Sequence, residues 1–256
     1  MKIRLALLFL LFASIACTAQ EITVAAAADL NFALKDVAQK FEAQTGKKVK
    51  LTFGSSGNFY TGIQNGAPYD LFFSADIAYP QKLEAAGLTE PGTLYEYAVG
   101  RIVLWTPSAS KLDLSRGLQV LTDPVVHKIA IANPAHAPYG RAAVAALHAA
   151  NLYDRLAPKF VLGENISQTA EFVQSGNADI GIIAFSLALA PTMSQTGRYA
   201  LIPTDLYPPI EQAVVVLKSA KDKATARQFL DFVKSQSGAE VLAHYGFNGA
   251  MAAKKK

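Results

Sequence analysis

Ser55 and Ser56, set in Gly54-Ser55-Ser56-Gly57-Asn58, are the side chains whose type and spacing first suggest chemistry. Apolar residues 49–53 precede them and residues 59–63 follow, which reads as a strand, a tight turn and a helix. Glycine would supply unusual backbone angles at the turn and one serine the N-cap. Such a turn is an anion seat, because the first amides of a helix lack internal partners and sit at the positive end of its dipole. It also invites a nucleophile. A hydrolase elbow needs Gly-x-Ser-x-Gly, however, and with Ser56 as nucleophile Asn58 stands where the last glycine belongs. The base would come from His127, His136, His148 or His244, none of which lies in a catalytic signature. The turn lacks the Gly-Lys-Ser/Thr ending of a nucleotide loop, and no His/Cys cluster has metal-ligand spacing.

Asp70 and Asp76 bracket an apolar strand. Its ends lie about 20 Å apart, so the two acids read as turn and cap residues rather than an acid/base pair. Arg141 is a candidate counter-ion. Tyr139 follows Ala137-Pro138 at a helix start, where its amide or its hydroxyl would face a cleft.

The elements that must position these groups alternate. Residues 22–28 form a strand of small residues, and Asp29 stands at an N-cap position before Leu30, Ala33, Leu34, Val37, Ala38 and Phe41, one apolar helix face closed by Gly46. Strands follow at 48–53 and 69–76, then a helix over 81–86. A long strand over 97–105 and a return partner over 212–217 each read as carrying the chain between two lobes, with a hinge near the first. Between them lie strand 128–133 with the Tyr139 helix, strand 159–163 with the turn 164–167 and its helix, and strand 179–185. This alternation predicts parallel α/β sheets. Ligands of such sheets bind beyond the carboxyl ends of the strands, and four strand-to-helix turns, two per half, would build a cleft there.

Composition agrees with a globular body: 256 residues, 51% hydrophobic and 17% charged. Residues 1–19 read as a signal peptide, with cleavage after Ala19. Cleavage before Cys17 with acylation is the alternative, although the usual leucine three residues upstream is missing. Cys17 is the only cysteine, so the exported body has no disulfide. The formal charge of +4 falls to −1 once the leader and the basic tail 254–256 are set aside. A near-neutral body without a basic stripe argues against nucleic acid.

Taken together, Ala26-Ala27-Ala28-Asp29-Leu30, Gly54-Ser55-Ser56-Gly57, the run from Asn65-Gly66-Ala67-Pro68 through Ser74-Ala75-Asp76, Asn133-Pro134 with Ala137-Pro138-Tyr139-Gly140, and Tyr245-Gly246-Phe247 resemble the periplasmic molybdate-binding proteins of ABC importers. The resemblance spans essentially the mature chain. It implies a two-lobed α/β fold joined by two crossover strands: 20–102 as the first part of lobe I, 103–212 as lobe II and 213–253 as the return part of lobe I. It further implies a periplasmic monomer without cofactor that holds molybdate or tungstate as an oxyanion and passes it to a membrane permease. Carried over position by position, the oxyanion contacts are Ala28, Asp29, Ser56, Tyr139 and Ile166. Where one branch of the family has a ligand tyrosine this chain has Ala184, and Tyr139 resembles another branch's solution. Asp29 stands where neutral residues are usual, and an ionised carboxylate would repel a dianion. The expectation is that it caps its helix and turns its carboxylate away; a protonated Asp29, or a different ligand such as sulfate, phosphate or a small organic acid, are the alternatives. A secreted hydrolase built on Ser56 is the reading from another class.

Overall fold

The computed structural model describes residues 20–247; the leader, Cys17 and the basic tail lie outside the described residues. In chain order the first part contains β1 (Glu21–Ala27), a 3-10 turn (Ala28–Leu30), α1 (Ala33–Thr45), β2 (Lys48–Gly54), α2 (Ser56–Gln64), β3 (Leu71–Ser74), α3 (Ala78–Ala85) and β4 (Tyr95–Gly100). The middle contains β5 (Ile102–Pro107), a 3-10 segment (Leu114–Thr122), β6 (Ile129–Ala132), α4 (Pro138–Ala149), α5 (Tyr153–Leu156), β7 (Phe160–Gly163), α6 (Ile166–Gln174), β8 (Ile180–Ala184), α7 (Phe185–Ala188), α8 (Pro191–Thr196) and β9 (Gly197–Leu201). The chain then closes with β10 (Ile210–Val216), α9 (Lys223–Lys234) and α10 (Gln236–His244).

Two five-stranded sheets result, ordered β2-β1-β3-β10-β4 and β7-β6-β8-β5-β9. In each, three parallel strands carry an antiparallel addition: β10 lies between β3 and β4, and β5 between β8 and β9. The sheets are therefore mixed, because each receives a strand from the stretch where the chain changes lobe. The two share one topology although no residue-level repeat is visible in the sequence.

Hydrophobic spacing accounts for the packing. The α1 face read from the sequence (Ala33, Leu34, Val37, Ala38, Phe41) is buried against Val24 and Ala26 of β1 and Phe229 of α9. In the second lobe Ala142, Ala143, Ala146 and Leu147 of α4 bury against the fully apolar strand β6.

The expected single strand over 97–105 is two strands in different sheets, broken at Arg101. At the break the Arg101 carbonyl accepts from the Phe185 amide at 2.9 Å and its guanidinium sits 4.4 Å from the Phe185 ring centroid. β10, expected to span the lobes, pairs only with β3 and β4, so the return crossing comes earlier, over residues 202–209. The helix expected over 81–86 starts three residues sooner, where Asp76 Oδ1 accepts from the Ala78 amide.

Candidate functional site

The carboxyl ends of β1, β2, β6 and β7 converge. Their following turns enclose a cavity of about 10 Å³ lined by Ala27, Ala28, Asp29, Gly54, Ser55, Ser56, Ala75, Ala137, Pro138, Tyr139 and Ile166. All five residues expected to meet an oxyanion are brought together here, and all are buried. The lining contains no lysine or arginine.

What the lining does offer is helix starts. Ser55 is the N-cap of α2, but its side chain makes no capping bond, so the Ser56 amide is left over. Pro138 occupies N1 of α4 and has no N–H, which makes Tyr139 the first amide there, again uncapped. At α6 the Asn165 side chain accepts from the amides of Ser167 and Gln168 and passes over that of Ile166. Ser56 Oγ accepts from the Ala75 amide at 2.9 Å, which leaves its own hydrogen to donate elsewhere.

The glycines of the turn act differently from expectation. Neither Gly54 nor Gly57 has a positive φ. β2 runs straight into α2, so the turn needs no unusual angles; Gly57 is needed because a Cβ there would lie 2.7 Å from the His136 carbonyl of the other lobe.

Asp29 also departs from expectation. The N-cap position belongs to Ala27, and Asp29 lies inside the 3-10 turn, two residues too late to cap. Its carboxylate turns toward the contact between lobes. Oδ2 accepts from Tyr139 Oη and from Gln212 Nε2, both at 2.9 Å, and Gln212 Nε2 also reaches Tyr139 Oη at 2.8 Å. Gln212 Oε1 accepts from Tyr97 Oη at 2.7 Å. Burial pushes the Asp29 carboxyl up to about 6, against the opposing pull of Gln212, Tyr139 and the amides of Asp29 and Leu30. Burial likewise pushes the phenols of Tyr97 and Tyr139 well above their usual range, with Asp29 adding to the shift. The Tyr139 hydroxyl is thus engaged with Asp29, and its amide is the group left for the cavity.

Sequence reasoning missed Gln212, Tyr97, Ser167, Ser186 and the pairing of Ser55 with His136. Gln212 was legible in one respect, as a polar residue leading directly into the apolar run 213–217; in the structure it is fully buried and a register shift follows it. Ser186 and Ser167, from the second lobe, donate to the carbonyls of Asp29 and Ala28 at 2.9 and 2.8 Å. His136 Nδ1 lies 3.0 Å from Ser55 Oγ, its carbonyl accepts from the Gly57 amide at 3.0 Å, and its Nε2 is 3.6 Å from Glu164, which accepts from Asn58.

This geometry does not serve a hydrolase built on Ser56. Its hydroxyl is held by Ala75, and the histidine meets Ser55 across the gap between lobes. Arg141 is not a cavity counter-ion either. It pairs with Asp76 across the lobes and lies over Tyr79, beside a separate cleft of about 340 Å³. Asp70, as expected of a turn residue, accepts from the amides of Thr23 and Lys221. Ala184 ends β8 and lies outside the lining.

Comparison with known proteins adds to this. The family described as bacterial extracellular solute-binding protein matches residues 22–248. The chain is 38% identical over 229 residues to the molybdate-binding protein ModA of Rhodobacter capsulatus, covering 90% of this chain and 88% of that one. It is 40% identical over 235 residues to ModA of Azotobacter vinelandii, covering 91% and 92%. The solved structure of the Azotobacter vinelandii periplasmic molybdate-binding protein aligns with a TM-score of 0.84 and 34% identity, over 89% of this chain and 98% of that one.

Proposed function

We propose, on the premise that this chain belongs to the bacterial extracellular solute-binding proteins, that it captures molybdate or tungstate between its lobes and hands it to the membrane permease of an ABC importer. The work is reversible binding and lobe closure outside the cytoplasm, not turnover. Residues 1–19 would direct export to the periplasm. The observation that carries the reading is the convergence of three uncapped or part-capped helix starts and the turn at Ala28 on one small cavity without a cationic side chain. Such a site suits a small oxyanion held through its oxygens. Ser56 would donate its hydroxyl and amide, Tyr139 and Ile166 their amides, and Ala28 and Asp29 would approach from the first turn.

A cavity this small, near the threshold for one water, must be widened by an occupant of five heavy atoms. Sulfate shares the charge and shape of molybdate but has shorter bonds, so cavity size would set the preference between them. The test is a thermal melt of the chain from Gln20 onward with molybdate, tungstate, sulfate or phosphate. At about a hundred times its dissociation constant a ligand adds roughly 2.7 kcal/mol, a shift of several degrees. Shifts with molybdate and tungstate but not sulfate are expected; no shift with any oxyanion refutes the proposal.

A further inference from the structure

We propose that the cavity takes up its anion together with one proton, shared between Asp29 Oδ1 and an oxygen of the anion. The inference rests on the oxyanion reading above and concerns the same site. It starts from the directions of the hydrogen bonds around Asp29. Tyr97 donates to Gln212 Oε1, which fixes the Gln212 amide so that Nε2 points at Asp29 and Tyr139. Tyr139 Oη accepts one of those N–H bonds and gives its own hydrogen to Asp29 Oδ2. Oδ2 is thereby an acceptor twice over, and a proton on Asp29 must sit on Oδ1. That oxygen is buried and has no hydrogen-bond partner, on a residue that lines the cavity and is 1% exposed.

Apart from the amides of Asp29 and Leu30, which favour the carboxylate, the groups around it are neutral or turned elsewhere. Tyr139 faces it from α4, Gln212 from β10, and Tyr97 stands behind Gln212 on β4. Ser167 of α6 and Ser186 of α7 are turned to backbone carbonyls. Lys35 of α1 lies over the rings of Phe32 and of Phe53 from β2. Among the described residues no charged side chain contributes to the state of Asp29, and burial, against the pull of Gln212, Tyr139 and the amides of Asp29 and Leu30, already raises its carboxyl to about 6. A dianion at contact distance raises it further. An O–H bond then forms at Oδ1 with a proton drawn from buffer, and a lone pair that would repel the anion becomes a donor to it.

Calorimetric titration of the mature chain with molybdate, a dianion throughout about pH 6.5–8.5, in two buffers of different protonation enthalpy counts the protons. Close to one proton taken up per anion is expected, with Kd weakening by up to tenfold per pH unit above about 6.5. Asp29→Asn keeps the acceptor for Tyr139 and Gln212 and offers an N–H where the proton would be. It should bind with no proton uptake and a flat pH profile, tighter than wild type at about pH 8 by tenfold or more. Wild-type binding with no proton uptake and constant Kd overturns the inference and leaves anion capture standing. Absence of molybdate and tungstate binding at every pH removes capture itself and this inference with it. Should the variant fail to fold, the wild-type proton count decides alone.

Discussion

Gly57→Ala separates closing the lobes from folding them. Gly57 lies in the first turn of α2 with an ordinary φ, so alanine is locally acceptable and gains up to about 1 kcal/mol in helix propensity. Across the gap, however, the new Cβ would stand 2.7 Å from the His136 carbonyl oxygen and 3.0 Å from its Cα and Cβ, all on the other lobe. Restoring ordinary contact means backing the lobes apart by roughly 0.7 Å there. The Gly57 N–H to His136 bond, at 3.0 Å, then stretches out of range, and the Ser55–His136 and Asn58–Glu164 contacts beside it loosen. One such bond contributes about 0.5–1.5 kcal/mol, and the group together roughly 1–3 kcal/mol of closure. Calorimetric titration should show molybdate affinity down roughly 5- to 150-fold, while the melting temperature of the free chain stays within about 3 °C of wild type. Unchanged affinity would refute the idea that this contact belongs to the closed state. A large drop in the free chain's melting temperature would refute the claim that the lobes themselves tolerate alanine.

Three further outcomes follow from the same geometry. Ser56→Ala strands the buried Ala75 amide, a loss of about 1–3 kcal/mol, so the melting temperature should fall several degrees and affinity at least tenfold, whereas Ser55→Ala should leave stability nearly unchanged; equal losses in the two melts would contradict this. Because the Asp29 carboxyl is raised from 3.8 to about 6 on folding, its stabilising contribution is complete below 3.8 and lost as pH rises through about 6, which amounts to roughly 3 kcal/mol at pH 7. Asp29→Asn should therefore stabilise the free chain by that order at pH 7 and by little near pH 4, as read from melts at both values; a pH-independent gain would assign it to packing. Tyr139→Phe removes a hydroxyl that bonds Asp29 and Gln212 but keeps the amide, so molybdate affinity should change by less than about tenfold, and a hundredfold loss in titration would make the hydroxyl an anion contact.

Much of this was legible in the sequence because short-range physics decides it. The spacing of Leu34, Val37 and Phe41 places one helix face in the core, and Gly46, Gly87 and Gly176 end their helices with positive φ as glycine should. The helix starts at Ser56 and Tyr139 were legible for the same reason, since each follows a strand, whereas the helix expected from Gln168 begins two residues earlier, at Ile166, because the Asn165 side chain caps it. What escaped depends on contacts far apart in sequence. Whether Asp29 caps a turn or faces Tyr139 and Gln212 is settled by residues 110 and 183 positions away. The break at Arg101 is equally non-local: a Cβ on Gly100 would collide with Tyr139 and Gln212. Apolar residues flank Gly100-Arg101 on both sides, and that pair alone marks the change of sheet in the local sequence.

The charge balance of the cavity ties these points together. A helix start carries roughly half a positive charge, so α2, α4 and α6 supply about +1.5 between them. The three-residue turn at Ala28 is too short to add much of a dipole. A dianion already exceeds that supply, and no lysine or arginine lines the cavity to make up the difference. An ionised Asp29 would bring the negative charge to about three in a space near the size of one water. Oδ2 takes two side-chain donors and Oδ1 has no hydrogen-bond partner, with the amides of Asp29 and Leu30 as the remaining groups that favour the charged form. The arrangement can hold a charged Asp29 or a charged ligand, but it lacks the donors to hold both, so filling the cavity requires Asp29 to become neutral.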